Sequence, residues 1–182
     1  ATTPDGRLVV GSLDHHLHAI THAGELSWTF DTGARVWASP AVDAAGVTYI
    51  GSENGRLWAI DAEGQALWSF ETQDAIKASA ALSRDGTIIV GGMDSWLYGL
   101  DATGTLSWKT DLASPITASA VIDANGRILV GTWAGELFAV SPAGQVAWQV
   151  SLGGPIWSSA AIADDGAIYI GSYDSHLYAL GD

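Results

Sequence analysis

Histidines and aspartates near the start of the chain are the first residues whose types and spacing point to chemistry. They lie in Asp14-His15-His16-Leu17-His18, and His22 follows four residues later. Imidazoles two positions apart on a β-strand point to the same face, where they could share a transition-metal ion. Two aspartate-rich turns, Asp123-Ala-Asn125-Gly126 and Asp164-Asp165-Gly166, lack the later bidentate glutamate of a calcium loop. We interpret them as hairpin turns.

Serine nucleophiles would be a second kind of site. Four serines recur at steps of 40 residues, at Ser39, Ser79, Ser119 and Ser159. An active site needs one serine nucleophile. A serine that recurs in every copy is therefore interpreted as a structural residue of its strand. The chain has no Cys, which excludes disulfides, thiolate zinc sites and cysteine nucleophiles. We therefore expect no enzymatic activity, no metal site and no cofactor.

The serines belong to a repeat that runs through the whole chain. Glycines, leucines and tryptophans return at the same spacing of 40 residues, without an insertion. They are Gly11, Gly51, Gly91, Gly131 and Gly171; Leu17, Leu57, Leu97, Leu137 and Leu177; and Trp28, Trp68, Trp108 and Trp148. Because 182 residues make about 4.5 such periods, the sequence predicts an array of four full copies and a half.

Each period contains four short runs with strand character. In the second copy these runs begin at Val47, Arg56, Ala66 and Lys77, and Gly, Asn or Asp separates them. Dipeptides such as Asn54-Gly55 supply the positive φ that tight hairpins need, and helical repeats are excluded. The runs at 87–90, 127–130 and 167–170 are apolar on both faces, as in a sheet packed between two other sheets. We predict an all-β fold, a β-propeller built from 40-residue four-stranded blades.

One segment carries a family resemblance. Ala59-Ile-Asp61-Ala-Glu-Gly64-Gln-Ala-Leu-Trp68 resembles the tryptophan-docking motif of pyrroloquinoline-quinone-type propeller repeats, including those of quinoprotein-like and outer-membrane-assembly propellers. The first and fourth copies replace the motif's Asp by Thr21 and Ser141. The resemblance implies that one set of tryptophans is structural and docks between adjacent blades: Trp28, Trp68, Trp108 and Trp148. It also implies a bacterial protein with a periplasmic or extracellular location.

We expect a single repeat domain over residues 1–182. It divides into a half-blade start at 1–36, blades at 37–76, 77–116 and 117–156, and a partial blade at 157–182. If the innermost strand of a blade is strand A, the chain begins just past a strand A and has 18 strands, whereas a closed four-blade ring uses 16. Two copies supply the 36 strands of nine blades, but two strands must then change role. Two explanations remain: the chain is part of a longer propeller, or it associates with itself.

Charge and hydropathy limit the partners. Seven Lys and Arg against 20 Asp and Glu give a net charge of −13, which repels phosphate backbones and anionic lipid headgroups. We expect no nucleic-acid binding. The chain has no apolar run of the roughly 18 residues that a membrane span needs, so we expect no membrane insertion.

Positions that change identity between copies are free of the packing constraint and could carry binding. The family resemblance implies that the residue that opens strand A lies nearest the central channel, and both this residue and the loop after strand B vary between copies. From them, and from the loop that enters strand A, we select these candidate binding residues of the channel face: Trp37, Lys77, Thr117, Trp157, Met93, Trp133, Tyr173, Arg35 and Asp74. The same comparison weakens the metal hypothesis, because His18 falls in a position held by Trp58, Tyr98, Phe138 and Tyr178.

The sequence favours a non-catalytic propeller scaffold for protein or peptide partners, either self-associating as a homo-oligomer or part of a larger propeller. One alternative is a small-ligand or carbohydrate sensor that stacks its ligand on Trp37, Trp133, Trp157 and Tyr173. A fragment of a quinone-dependent dehydrogenase is a weaker alternative, because the chain has no single-copy set of carboxylates and no Cys.

Overall fold

The computed structural model describes residues 1–181, and Asp182, the last residue of the predicted partial blade, lies outside them. In the described residues all 18 strands pair antiparallel, in five sheets whose strand order follows the chain. The all-β propeller class is confirmed. The strands are β1 (Leu8–Gly11), β2 (His16–Ile20), β3 (Leu26–Asp31), β4 (Ala41–Val42), β5 (Thr48–Gly51), β6 (Arg56–Ile60), β7 (Ala66–Glu71), β8 (Ala81–Leu82), β9 (Ile88–Gly91), β10 (Trp96–Leu100), β11 (Leu106–Asp111), β12 (Val121–Ile122), β13 (Ile128–Gly131), β14 (Glu136–Val140), β15 (Val146–Ser151), β16 (Ala161–Ile162), β17 (Ile168–Gly171) and β18 (Leu177–Leu180).

The sheets differ in strand number at the two ends of the array. The first sheet holds β1–β3, the next three sheets hold β4–β7, β8–β11 and β12–β15, and the fifth holds β16–β18. Turns with a positive-φ glycine join the strands: Gly55 (φ 76°) follows β5, and Gly64 (φ 82°) follows β6. No helix in residues 1–181 is long and apolar enough to cross a membrane.

Close approach between neighbouring sheets explains the most regular glycines. A Cβ built on Gly51 would lie 2.1 Å from Cγ2 of Ile76, which belongs to the segment entering the next sheet. Gly91 meets Ile116 in the same way, with a separation of 2.3 Å. A side chain at either glycine would push the sheets apart, and the core between sheets would lose its dense packing. The 40-residue glycine step is therefore a requirement of sheet stacking.

Tryptophans on three of the outer strands, β3, β7 and β11, dock on the following sheet. Nε1 of Trp28 donates a hydrogen bond to the carbonyl oxygen of Ala62 (3.0 Å), and Trp68 makes the equivalent bond to Ala102 (3.0 Å). The Trp68 ring lies on Gly104, where a Cβ would come within 2.5 Å of the ring. Trp28 and Trp108 lie in the same way on the equivalent glycines of their following sheets, Gly64 and Gly144.

The start of the chain departs from the sequence expectation. Residues 1–3 do not lie past strand A, because they occupy the place that β4 has in the second sheet. Thr2 forms an antiparallel bridge with Leu8, and the amide of Val9 donates to the carbonyl of Ala1 (2.9 Å). Sequence spacing missed this pairing because strand A is only two residues long in the complete sheets.

Gly104 and Gly24 give a matched test of tryptophan docking. Both have a left-handed φ (82° and 83°), but a Cβ at Gly24 would meet nothing within 4 Å. We expect Gly24→Ala to cost about 1 kcal/mol of unfolding free energy, for its φ alone. Gly104→Ala should cost a further ~1–3 kcal/mol, because its Cβ overlaps the Trp68 ring. Urea unfolding measures both costs, and equal losses would contradict the docking contact.

Candidate functional site

A repeated backbone hydrogen bond positions the variable residues at one end of the inner strands. In each of the second to fifth sheets, an amide in the turn after the second strand donates to a carbonyl of the segment entering the first strand. The bonds are Glu53 to Arg35 (2.9 Å), Met93 to Ala75 (2.9 Å), Trp133 to Pro115 (3.0 Å) and Tyr173 to Pro155 (2.9 Å). Each bond fixes a turn residue near the position that the sequence predicts as the start of strand A, which in the structure lies four residues before the first strand of the sheet.

The side chains of the second and third sheets form the charged half of the site. Nε1 of Trp37 donates to Oε1 of Glu53 (3.2 Å). Nζ of Lys77 lies 3.5 Å from the same Oε1 and 5.6 Å from the centre of the Trp37 ring. Lys77 and Glu53 are therefore paired, and the ring of Trp37 already has a cation beside it.

The side chains of the fourth and fifth sheets form the aromatic half. Nε1 of Trp133 donates to Oγ1 of Thr117 (2.9 Å), which orients the indole. The ring centres of Trp133 and Trp157 are 5.5 Å apart, and those of Trp157 and Tyr173 are 4.1 Å apart. These three rings remain 41–64 % exposed, so they offer a continuous aromatic surface to a ligand.

The two halves face a common cavity of about 360 Å³. It is lined by Trp37, Lys77, Thr117, Trp133 and Trp157. We call these five residues, together with Glu53 and Tyr173, the mouth cluster. The structure thus brings together six of the nine candidate residues selected from the sequence, counting Tyr173 through its contact with Trp157.

Three candidates lie outside the cavity lining, and one member of the mouth cluster was not selected from the sequence. Arg35 and Asp74 are exposed, and Met93 is half-buried. The Asp74 carboxylate accepts the amide of the adjacent Ala75 (2.7 Å), so the side chain is held against its own loop. Glu53 occupies the same variable position as Trp133 and Tyr173, and that was the signal that could have identified it.

The histidine segment is organised by Asp14. Its carboxylate accepts the amide of His16 (2.9 Å) and contacts Nε2 of His18 (2.9 Å). The hydrogen bond from the His16 amide, assisted by His18, lowers the pKa of Asp14 from 3.8 to about 2. The equivalent pair in the third sheet is Tyr98 and Asp94 (2.6 Å), so His18 fills a ring position of the fold.

The other residues that the sequence suggests as metal ligands or nucleophiles make structural contacts. Within residues 1–181 no three His, Asp or Glu side chains are grouped so that they could hold a metal ion. The Asp123 carboxylate accepts the amides of Asn125 and Arg127 (both 2.8 Å) and pairs with the Arg127 guanidinium. The repeated serines connect sheets, because Oγ of Ser79 accepts the amide of Ser39 (3.0 Å).

Comparison with known proteins identifies the family. Its model, described as outer membrane protein assembly factor BamB, matches residues 1–102 and 93–181. The structure is similar to BamB from Moraxella catarrhalis, with a TM-score of 0.84 and 24 % identity over 99 % of this chain and 56 % of that one. A comparison with curated proteins gave no match.

Two further solved structures share the fold. The computationally designed Ika8 protein has a TM-score of 0.81 and 15 % identity over 95 % of this chain and 54 % of its own. Quinohemoprotein alcohol dehydrogenase from Comamonas testosteroni has a TM-score of 0.82 and 19 % identity over 97 % of this chain and 40 % of its own. The chain spans about half the length of these proteins or less. The likeness confirms the propeller fold, and the family model confirms the pyrroloquinoline-quinone-type repeat.

The mouth cluster does not fit the quinone cofactor for which these repeats are named. That cofactor is multiply carboxylated, whereas the cavity lining has one cationic side chain, Lys77, already paired with Glu53. The net charge of −13 adds a further repulsion. No reaction step through such a cofactor follows from these residues.

The Asp14 contacts predict an acid titration. Because the folded pKa is about 2 and the ordinary value is 3.8, Asp14 stabilises the fold above about pH 4, and this contribution is lost as the pH falls through 2. In His18→Phe we expect the midpoint to rise but to stay below 3.8, because the His16 amide remains. Carboxyl-carbon NMR titration measures both midpoints. A wild-type midpoint at 3.8 would show that the contacts are absent in solution.

Proposed function

The chain belongs to the family described as outer membrane protein assembly factor BamB, and on that basis we propose that it is a non-catalytic propeller scaffold for protein or peptide partners. We further propose that a second copy of the chain supplies the blades that cover its two end sheets. Family membership also supports a periplasmic or extracellular location. The observation that carries self-association is the exposure of two sheet faces that fit one another.

The outward face of the fifth sheet is the first of these faces. Leu177 is 75 % exposed there, whereas its four counterparts in the other sheets are each 0 % exposed against the following sheet: Leu17, Leu57, Leu97 and Leu137. Tyr169 on the same face is also exposed. The edge of β18 that faces away from β17 has no strand partner within the described residues. Leu177-Tyr178-Ala179-Leu180 carries no charge or proline that would protect such an edge.

The second exposed face lies on the first sheet, on the side that points away from the second sheet. Val10 is 48 % exposed there, whereas its counterparts Ile50, Val90, Val130 and Ile170 are at most 2 % exposed. In the internal junctions, this face packs on the face that carries the repeated leucines. Between the first and second sheets, for example, Ile50 belongs to the same core cluster as Leu17. The last face of one copy is therefore complementary to the first face of another.

Contacts between opposite ends are head to tail, so they generate a ring when they close and a filament when they do not. Burying one leucine or valine side chain contributes about 1.5–3 kcal/mol. This contribution acts at each junction between copies, where one sheet face stacks on another.

Light scattering on a size-exclusion column, over a range of protein concentrations, tests this association. We expect particles at multiples of 18.9 kDa that dissociate on dilution. Val10→Asp and Leu177→Asp should each give monomers, because each places a charge in the junction.

Leu67→Asp is the matched control, since the exposure of Leu67 (54 %) lies between those of Val10 (48 %) and Leu177 (75 %) but Leu67 lies on the outer strand β7 of an internal sheet. It should leave the particle mass unchanged. A wild-type monomer at every concentration would overturn self-association and leave blades in a longer chain as the cover for the two faces.

A further inference from the structure

The aromatic half of the mouth cluster is a surface without an occupant from the protein. Four aromatic rings in residues 1–181 have a Lys or Arg group beside them: Trp58, Trp37, Trp96 and Trp148. Trp133, Trp157 and Tyr173 have none, although all three rings are exposed and in contact. Their ring faces are therefore available to a group from outside.

Several of the hydrogen-bonding groups around these rings are used within the protein. Trp133 donates to Thr117, Trp37 donates to Glu53, and Glu53 also faces Lys77. A sugar bound in the cavity would leave many of its hydroxyls without partners, which weakens binding. The pocket thus favours a ligand that needs few hydrogen bonds.

Charge selects among such ligands. The net charge of −13 attracts cations and repels anions. Aromatic faces carry the negative part of the ring quadrupole, and tryptophan is the strongest of them for a cation. Lys77 over Trp37 shows the same contact within this cavity. Because Glu53 balances the charge of Lys77 at 3.5 Å, Lys77 does not make the cavity cationic.

We propose that the mouth cluster binds a quaternary ammonium group over the rings of Trp133, Trp157 and Tyr173. Such a group is cationic and has no N–H, so it loses no hydrogen bond on leaving water for an aromatic surface. The cavity, at about 360 Å³, is within the usual range for small-ligand sites. Trp157 and Tyr173 belong to the fifth sheet, but they lie in its loops and not on the face that carries Leu177, so the inference does not rest on self-association.

Titration of the chain with choline tests the site by calorimetry and ligand-observed proton NMR. We expect saturable binding and an upfield shift of the methyl protons, caused by the ring currents. The uncharged tert-butyl isostere of choline has the same shape and should bind at least about fivefold more weakly, the factor that a cation–π contribution of about 1 kcal/mol gives. Equal affinity for the two compounds, or no saturation with choline, would overturn the proposal.

Variants locate the site. Trp157→Leu and, as a second variant, Tyr173→Leu keep an apolar side chain but remove a ring, so both should abolish the methyl shift and most of the affinity. Trp96→Leu is the control, because Lys109 already covers the Trp96 ring at 4.2 Å and Trp96 is not in the cavity lining. Choline affinity that survives in both ring variants would place binding elsewhere and contradict the proposal.

Two binding experiments distinguish the possible natural sources of the quaternary ammonium group. Free choline and sedimentation with phosphatidylcholine vesicles are compared in the wild type and in Trp157→Leu. Vesicles that contain phosphatidylethanolamine, which is also zwitterionic but carries N–H groups, are the headgroup control. Vesicle binding that needs Trp157 and phosphatidylcholine identifies a lipid headgroup. Binding of free choline alone identifies a small soluble ligand.

Discussion

Each sheet of this protein has two apolar faces, and only the sheets before and after it can bury them. The neighbouring sheets approach so closely that a Cβ at Gly51 would overlap Ile76, and the Trp68 ring lies directly on Gly104. These contacts join residues 25 and 36 positions apart. An insertion between them would move the whole of the next sheet. The strict 40-residue spacing follows from this packing.

The same constraint separates residues that hold the fold from residues that are free for function. Positions between sheets, such as Leu57 and Leu97, keep one identity and are fully buried. The variable positions that lie four residues before the first strand of a sheet, and those that follow its second strand, lie outside the core clusters between the sheets. There the chain changes from Lys77 to Thr117 to Trp157 while the backbone hydrogen bonds stay the same. A uniform framework thus carries a mouth whose two halves differ in chemistry, one charged and paired, the other aromatic and open.

The fold could be predicted from sequence because its signals repeat: glycine, leucine and tryptophan spacing fix the strands and their stacking together. The mouth cluster was predicted only in part. Spacing identifies which positions vary, but Arg35 and Asp74 show that it does not give the direction of a loop side chain. Glu53 was missed because its place in the site depends on its contacts with Trp37 and Lys77. These two residues belong to different sheets, and spacing along the sequence does not show such contacts. The pairing of Ala1 and Thr2 with β1 was missed because so short a strand has no periodicity.

Amide hydrogen exchange at low and high protein concentration tests most directly whether packing of sheet on sheet holds this molecule together. The account predicts that at low concentration the amides of β17 exchange faster than those of β9, because β9 has a sheet on each side. The proposed association of the end faces predicts that this difference in exchange rate becomes smaller at high concentration. A β17 that is as protected as β9 at every concentration would contradict the account, whereas a β17 that never gains protection would contradict self-association alone.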